Sequence, residues 1–120
     1  MEEYLVDTNA VSHYLSGSLP DAGMTFLDNV INAVPNLSII SQIELLTWNS
    51  NKNQLIKDFI TDSSIFNLDT EIVNVCVSIR KGRKIKTPDA IIAATALANG
   101  FTLVTDNEKD FEGIPKLKII

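Results

Sequence analysis

Cysteine and histidine are almost absent from this sequence, with Cys76 and His13 the lone examples among 120 residues. A single cysteine excludes an internal disulfide. Because Cys76 falls among Val73, Val75, Val77 and Ile79 in a helical pattern, it reads as packing and makes no case for thiol chemistry. His13 has no sequence-adjacent Ser or Cys nucleophile pattern, so a structural or surface role is expected. Long apolar runs are missing too. No stretch of about 18 apolar residues could cross a membrane, and no basic-then-apolar leader precedes a small-residue cleavage site. A soluble, cytoplasmic protein without membrane partners is the expectation. Glycine is scarce, and Gly17 and Gly23 form no phosphate-cradling loop with the Lys that a nucleotide triphosphatase needs. Positive charge is short as well: net charge is -5 and the sequence pI about 4.7, which argues against a passive nucleic-acid binder with a basic surface. No repeat, low-complexity tract or linker divides the chain, and 45% hydrophobic content suits one domain over residues 1–120.

What is present is organised around the stretch from Thr87 to Gly100. Thr87 has the hydroxyl of an N-cap, Pro88 suits the first helical position, and Gly100 can take the left-handed turn that ends a helix. Between them Ile91, Ile92, Ala93, Ala94, Ala96, Leu97 and Ala98 leave almost no polar face, the pattern of a helix packed on several sides. Asp89 is the exception. It sits in the first turn, where free N–H groups and the helix dipole favour an anion. Immediately upstream, Arg80, Lys81, Arg83, Lys84 and Lys86 hold five of the ten cations. They read either as a solvated helix end and loop or as phosphate contacts beside Asp89.

Along the chain, Tyr4-Leu5-Val6 is a short strand that stops at Asp7-Thr8-Asn9, after which Val11, Tyr14 and Leu15 mark a helix. A second helix carries Met24, Leu27, Val30, Ile31 and Val34. Leu37 to Ile40 is the next strand, and Ser41-Gln-Ile-Glu44 starts a further helix. Asn49 to Asn53 is a polar break, Leu55 to Ile60 is helical, Ile65 to Leu68 is strand-like, and a helix through Ile72, Cys76 and Ile79 leads into the basic run. Thr102-Leu-Val104 is a strand, the segment from Thr105 to Phe111 a turn, and Leu117 to Ile120 a closing strand. Strands alternating with helices imply a parallel sheet covered on both faces.

Sites in such folds form outside the carboxyl ends of the strands. Asp7 follows the first strand, Glu44 opens the helix after the second, and Asp106-Asn107 follows the strand at 102–104; Asp89 can be brought to the same rim. Singly, each acid has a local explanation: a turn or cap at Asp7, a capping box of Glu44 with Ser41, a turn cap at Asp106, a dipole partner at Asp89. Together they would repel one another unless protonated or bound to a cation. Oxygen ligands without nearby Cys or His favour a hard ion such as Mg2+ or Mn2+, which also binds phosphate oxygens.

Leu5-Val-Asp-Thr-Asn9, Ser41-Gln-Ile-Glu-Leu45, Pro88-Asp-Ala-Ile-Ile-Ala-Ala-Thr-Ala96 and Leu103-Val-Thr-Asp-Asn-Glu-Lys-Asp-Phe111 resemble, in order, the four motifs of the PIN-domain ribonucleases. The resemblance is closest to the VapC-like toxins of bacterial type II toxin-antitoxin systems, and it runs through nearly the whole chain. It implies a three-layer α/β/α PIN-like fold with a central parallel sheet of four or five strands. It further implies an Mg2+-dependent endoribonuclease, Mn2+ substituting, that leaves 5'-phosphate and 3'-hydroxyl ends. In that reading Asp7 and Asp89 hold the metal, Glu44 binds it or orients its water, and Asn9 and Thr105 support the site. The chain departs from the family's fuller pattern at Asn107, where a fourth acid is usual. Asn107 stands as the fourth site residue, able to coordinate through its carbonyl or bond a ligand water, but it adds no charge, so one tightly held ion is expected, with Asp106 and Asp110 as supporting candidates. Implied partners are RNA, a cognate antitoxin that places an Arg against the carboxylates, and a second copy docked through the apolar helices after residue 20. The rival readings are a catalytically weak PIN-like subunit whose main role is partner association, and a phosphotransfer domain with Asp7 as nucleophile. The latter wants a Lys after a late strand, and Thr105-Asp106 offers none.

Overall fold

The computed structural model describes residues 2–48 and 53–120. Four three-residue strands, β1 (Tyr4–Val6), β2 (Asn36–Ser38), β3 (Ser64–Phe66) and β4 (Thr102–Val104), form a sheet in the order β3-β2-β1-β4, parallel throughout. The helices are α1 (Thr8–Leu15), α2 (Asp21–Asn32), α3 (Ile39–Thr47), α4 (Asn53–Thr61), α5 (Thr70–Gly82) and α6 (Thr87–Asn99). Side chains alternate across a strand, so Leu5 and Leu103 enter one core with α5 and α6. Their neighbours Val6 and Val104 enter a second core with α1, α2 and α4. The sheet thus separates two helical layers, the three-layer α/β/α arrangement. Among the described residues no helix is long and apolar enough to cross a membrane.

Helix α6 is the most buried helical run: Ala90 to Ala94 and Ala96 are all 9% exposed or less. Alanine lets the backbones of α5, α6 and the sheet approach closely, and Gly100 closes α6 at φ 70°, in the left-handed region. Its start differs from the expectation. Thr87 is the first helical residue, not the cap; Lys86 holds the cap position, and its carbonyl takes the Ala90 N–H at 2.9 Å. That bond removes the donor a Thr87 cap would have used.

Helix α3 also begins early. Leu37–Ile40 was the expected strand, but Ser38 accepts from the Ile40 N–H at 3.1 Å and starts the helix at Ile39. No capping box of Ser41 with Glu44 therefore forms, and Ser41 lies fully buried inside the helix. Val34 falls outside α2, which ends at Asn32 with Ala33 as its cap, and lies at φ 62° in the left-handed region; the following Pro35 also disfavours continuing the helix through it. The closing strand shrinks to one parallel bridge between Leu103 and Ile119, flanked by Leu103 N–H to Lys118 O at 2.8 Å and Ile120 N–H to Leu103 O at 2.9 Å. Lys116 at φ 67° turns the chain only just before that pairing. The expected polar break at 49–53 lies outside the described residues except for Asn53, which opens α4.

Candidate functional site

The carboxyl end of β1 builds the site first. Asp7 leaves the strand with extended backbone and caps α1: one carboxylate oxygen accepts from the Ala10 N–H at 2.8 Å, and its own N–H reaches across to Val104 O at 3.0 Å. The other oxygen accepts the Thr105 hydroxyl at 2.5 Å. Thr105 in turn accepts the Asn107 N–H at 3.0 Å, so the segment after β4 is tied to the acid after β1. Asp7 is only 5% exposed. Burial pushes its carboxyl up to about 6, partly offset by the bonds from Thr105 and Ala10, while the charges of Asp106 and Asp89 push it further up.

Glu44 is aimed by a residue that the sequence motifs did not single out. The Thr8 hydroxyl lies 2.6 Å from a Glu44 carboxylate oxygen and 3.0 Å from the Ser41 hydroxyl. Thr8 has one proton, so it donates to Glu44 and accepts from Ser41. Thr8 and Ser41 are both buried, and this relay holds α3 against α1. The signal was present as Thr8 beside Asp7 and Ser41 three residues before Glu44, but only tertiary packing shows that they meet. Asp89, in the first turn of α6, is half-buried; burial raises its carboxyl, Asp110 and Glu44 raise it further, and Lys86 opposes them.

Asp7, Thr8, Asn9, Glu44, Trp48, Asp89 and Ile92 line one shallow pocket of about 70 Å3 at the carboxyl edge of the sheet. Three of the four residues first singled out thus converge, with Asn9 beside them. Asn107 stands outside that lining: its amide donates to Asp110 at 2.6 Å. Asp106 pairs with His13 on α1, which gives the lone histidine a surface role. Both acids act at a distance, Asp110 on Asp89 and Asp106 on Asp7. Of the basic run, Arg83 donates to Glu112 O at 3.0 Å and Gly113 O at 2.6 Å, clamping the loop before the final bridge. Lys84 and Lys86 are exposed, and Arg80 and Lys81 face a separate hollow between α5 and α6.

Among the described residues no group of three or more His, Cys, Asp or Glu side chains is placed to hold a metal ion by itself. The donor set is nevertheless oxygen-only, half-desolvated and short of positive charge. It suits an ion such as Mg2+, which keeps several waters and needs one or two carboxylates, better than one demanding full protein coordination. A Thr105→Val substitution tests the support given to Asp7. With its donor removed, Asp7 should titrate higher and Mn2+ affinity fall roughly 10- to 100-fold by calorimetry, the range for lost outer-shell partners. Unchanged affinity would show that Thr105 serves the fold alone.

No curated protein sequence matches the chain. Among solved structures, a toxin-antitoxin complex from Klebsiella pneumoniae is 28% identical, with TM-score 0.77, covering 98% of this chain and 96% of that one. DNA-bound VapBC from Salmonella typhimurium is 24% identical, with TM-score 0.83 over 100% and 98% of the two chains. FitAcB from Neisseria gonorrhoeae, at 21% identity and TM-score 0.75, covers 98% and 96% and shares the fold. The PIN domain model matches residues 4–117, which span β1, the acid pocket, α6 and the segment after β4, and the chain therefore belongs to the PIN domain family.

Proposed function

We propose that this protein is an Mg2+-dependent endoribonuclease, the toxin of a toxin-antitoxin pair. The observation that carries the reading is the convergence of Asp7, Glu44 and Asp89 on one pocket, in which burial raises the carboxyls of Asp7 and Asp89. Clustered carboxylates of this kind gain from a cation, and PIN domains are in general nucleases. Asp7 and Asp89 would hold the ion, Glu44 would complete its shell or orient a water, and Asn9 would line the approach. When bound, a divalent ion supplies charge neutralisation at the scissile phosphate and acidifies a water. The chain's own part is orientation: Thr105 fixes Asp7, Thr8 fixes Glu44, and the dipole of α6 supports the anion at Asp89. Lys86, whose charge already reaches Asp89, together with Lys84 offers exposed cations to the RNA backbone.

The structural relatives are toxin-antitoxin assemblies, and an antitoxin Arg set against this acid pocket fits the same electrostatics. A homodimer belongs to the reading as well. The apolar stripe of α2 is turned into the protomer through Leu27 and Val30, whereas Ile43, Leu46 and Leu55 of α3 and α4 are each at least 50% exposed and available to a second copy. Purified, partner-free protein should cut RNA from a mixed panel at discrete sites with Mg2+ or Mn2+, and not with EDTA. Inert protein that still binds its antitoxin tightly would favour a catalytically weak binding subunit. The open donor set and the neutral Asn107, engaged with Asp110, are the observations behind that second reading.

A further inference from the structure

A hollow of about 570 Å3 lies on the other flank of α6, between that helix and α5. Leu68, Val73, Val77 and Ile91 line it, and Arg80 and Lys81 stand at its edge. The apolar walls are open to solvent and contiguous: Leu68, Val73 and Val77 are 47%, 41% and 46% exposed around one hollow. The cations are uncommitted, since among the described residues no carboxylate forms an ion pair with Arg80 or Lys81. Arg80 lines the hollow together with the Cys76 thiol and is near enough to offset part of the rise that burial imposes on it.

Position relates this hollow to the acids. Thr87 lines it, and Asp89, two residues on in the same turn, lines the acid pocket; the next turn repeats the division with Ile91 and Ile92. Residues two apart on a helix project to nearly opposite sides, so the hollow and the acid pocket flank the first turn of α6, a helix about 10 Å across and so one to two extended nucleotides wide. Resting on the nuclease reading above, we propose that the hollow is a base-binding subsite. It takes a nucleobase next to the scissile phosphate of single-stranded RNA, with Val73, Val77 and Ile91 against the ring and Arg80 and Lys81 on the flanking phosphate. An aliphatic slot with a guanidinium at its edge accepts the flat face of any base, and the Thr87 hydroxyl can bond a base edge. A second copy of this chain would bring its own net charge of -5 to the same face, but would give no reason for the hollow to adjoin Asp89.

The test uses full-length protein carrying Asp7→Asn, so that binding is read without cleavage. Fluorescein-labelled single-stranded RNAs, intact or with one abasic residue moved along the strand, are titrated by anisotropy. One abasic position should weaken binding at least about fivefold, the loss of roughly 40 Å2 of apolar contact between base and aliphatic wall. Adding Val77→Glu should weaken the intact RNA by a similar factor and abolish the effect of the abasic position, whereas Val34→Glu, a charge-matched change at another exposed valine, should do neither. Val77→Leu should restore affinity. Full RNA affinity in Val77→Glu overturns the subsite, as does loss of a dimer by light scattering without change in RNA binding, which would make this face an interface between copies. If wild type cuts no RNA while Val77-dependent binding persists, the nuclease reading falls and the base site stands.

Discussion

Asp7→Asn and Asp89→Asn are each expected to lower metal-dependent RNA cleavage roughly 100- to 1,000-fold, the rate equivalent of several kcal/mol of lost charge stabilisation. Neither change alters the shape of the pocket. At residue 7 an amide oxygen can still cap α1 through the Ala10 N–H, and the amide nitrogen can donate to Thr105, whose hydroxyl is free to rotate. What disappears is one negative charge from the three carboxylates that line the pocket. Glu44→Gln should cost less, about 10- to 100-fold, because Thr8 still finds a carbonyl oxygen and the residue stands at the edge of the donor set. Single-turnover rates at saturating Mn2+ separate lost metal from lost chemistry. Activity in Asp7→Asn restored by raised metal alone would make its charge a matter of affinity. Full activity in either Asp variant at ordinary metal would remove the site from this pocket.

The order of elements was legible because each has a local physical signature. Strand β1 ends where Val6 meets Asp7, and α6 is bounded by Pro88 near its start and Gly100 at its end. The strand Tyr4–Val6 and the strand Thr102–Val104 have the bounds their patterns predict. The errors fall at junctions decided by one hydrogen bond. Ser38 and Ser41 are equally good caps in the sequence, and only the Ser38–Ile40 bond selects the first. Leu117 to Ile120 has the composition of a strand, yet Pro115 and Lys116 bring it to β4 in time for one bridge.

The convergence of Asp7, Glu44 and Asp89 was legible because strand and helix ends in a parallel sheet share one rim, although each acid by itself also has a local explanation. Their supports were not. Thr8 and Ser41 are thirty-three residues apart, and Thr105 lies ninety-eight from Asp7. Such pairings depend on how α3 packs on α1 and how β4 sits beside β1, which no local pattern encodes. The same holds for the pairs Asn107 with Asp110 and His13 with Asp106. Neighbouring residues of similar chemistry, Asp106 and Asn107, turn in different directions after β4, and the sequence has no feature that assigns those directions.

The buried charge at Asp7 makes a second large effect testable without any substrate. Its carboxyl titrates near 6 in the folded protein against 3.8 for the ordinary side chain. The folded state therefore holds a proton that the unfolded chain has released between these values, and stability declines as pH rises from about 4 to about 6. The full difference corresponds to about 3 kcal/mol. Below pH 4 both states are protonated and the contribution is intact; above pH 6 it is lost. In metal-free buffer at pH 7.5, Asp7→Asn should accordingly be more stable than wild type by roughly 1–3 kcal/mol in urea unfolding, the lower end allowing for a less well matched amide at the cap. At pH 4 the two should be nearly equal. Mg2+ should narrow the gap at pH 7.5, because an ion that binds only the folded wild type adds stability by mass action. A variant less stable than wild type at pH 7.5, with no convergence at pH 4, would mean that Asp7 is held as a satisfied carboxylate and not as a charge awaiting a cation. The same acid is therefore expected to weaken the empty fold and to be required for its activity, two effects of opposite sign from one buried charge.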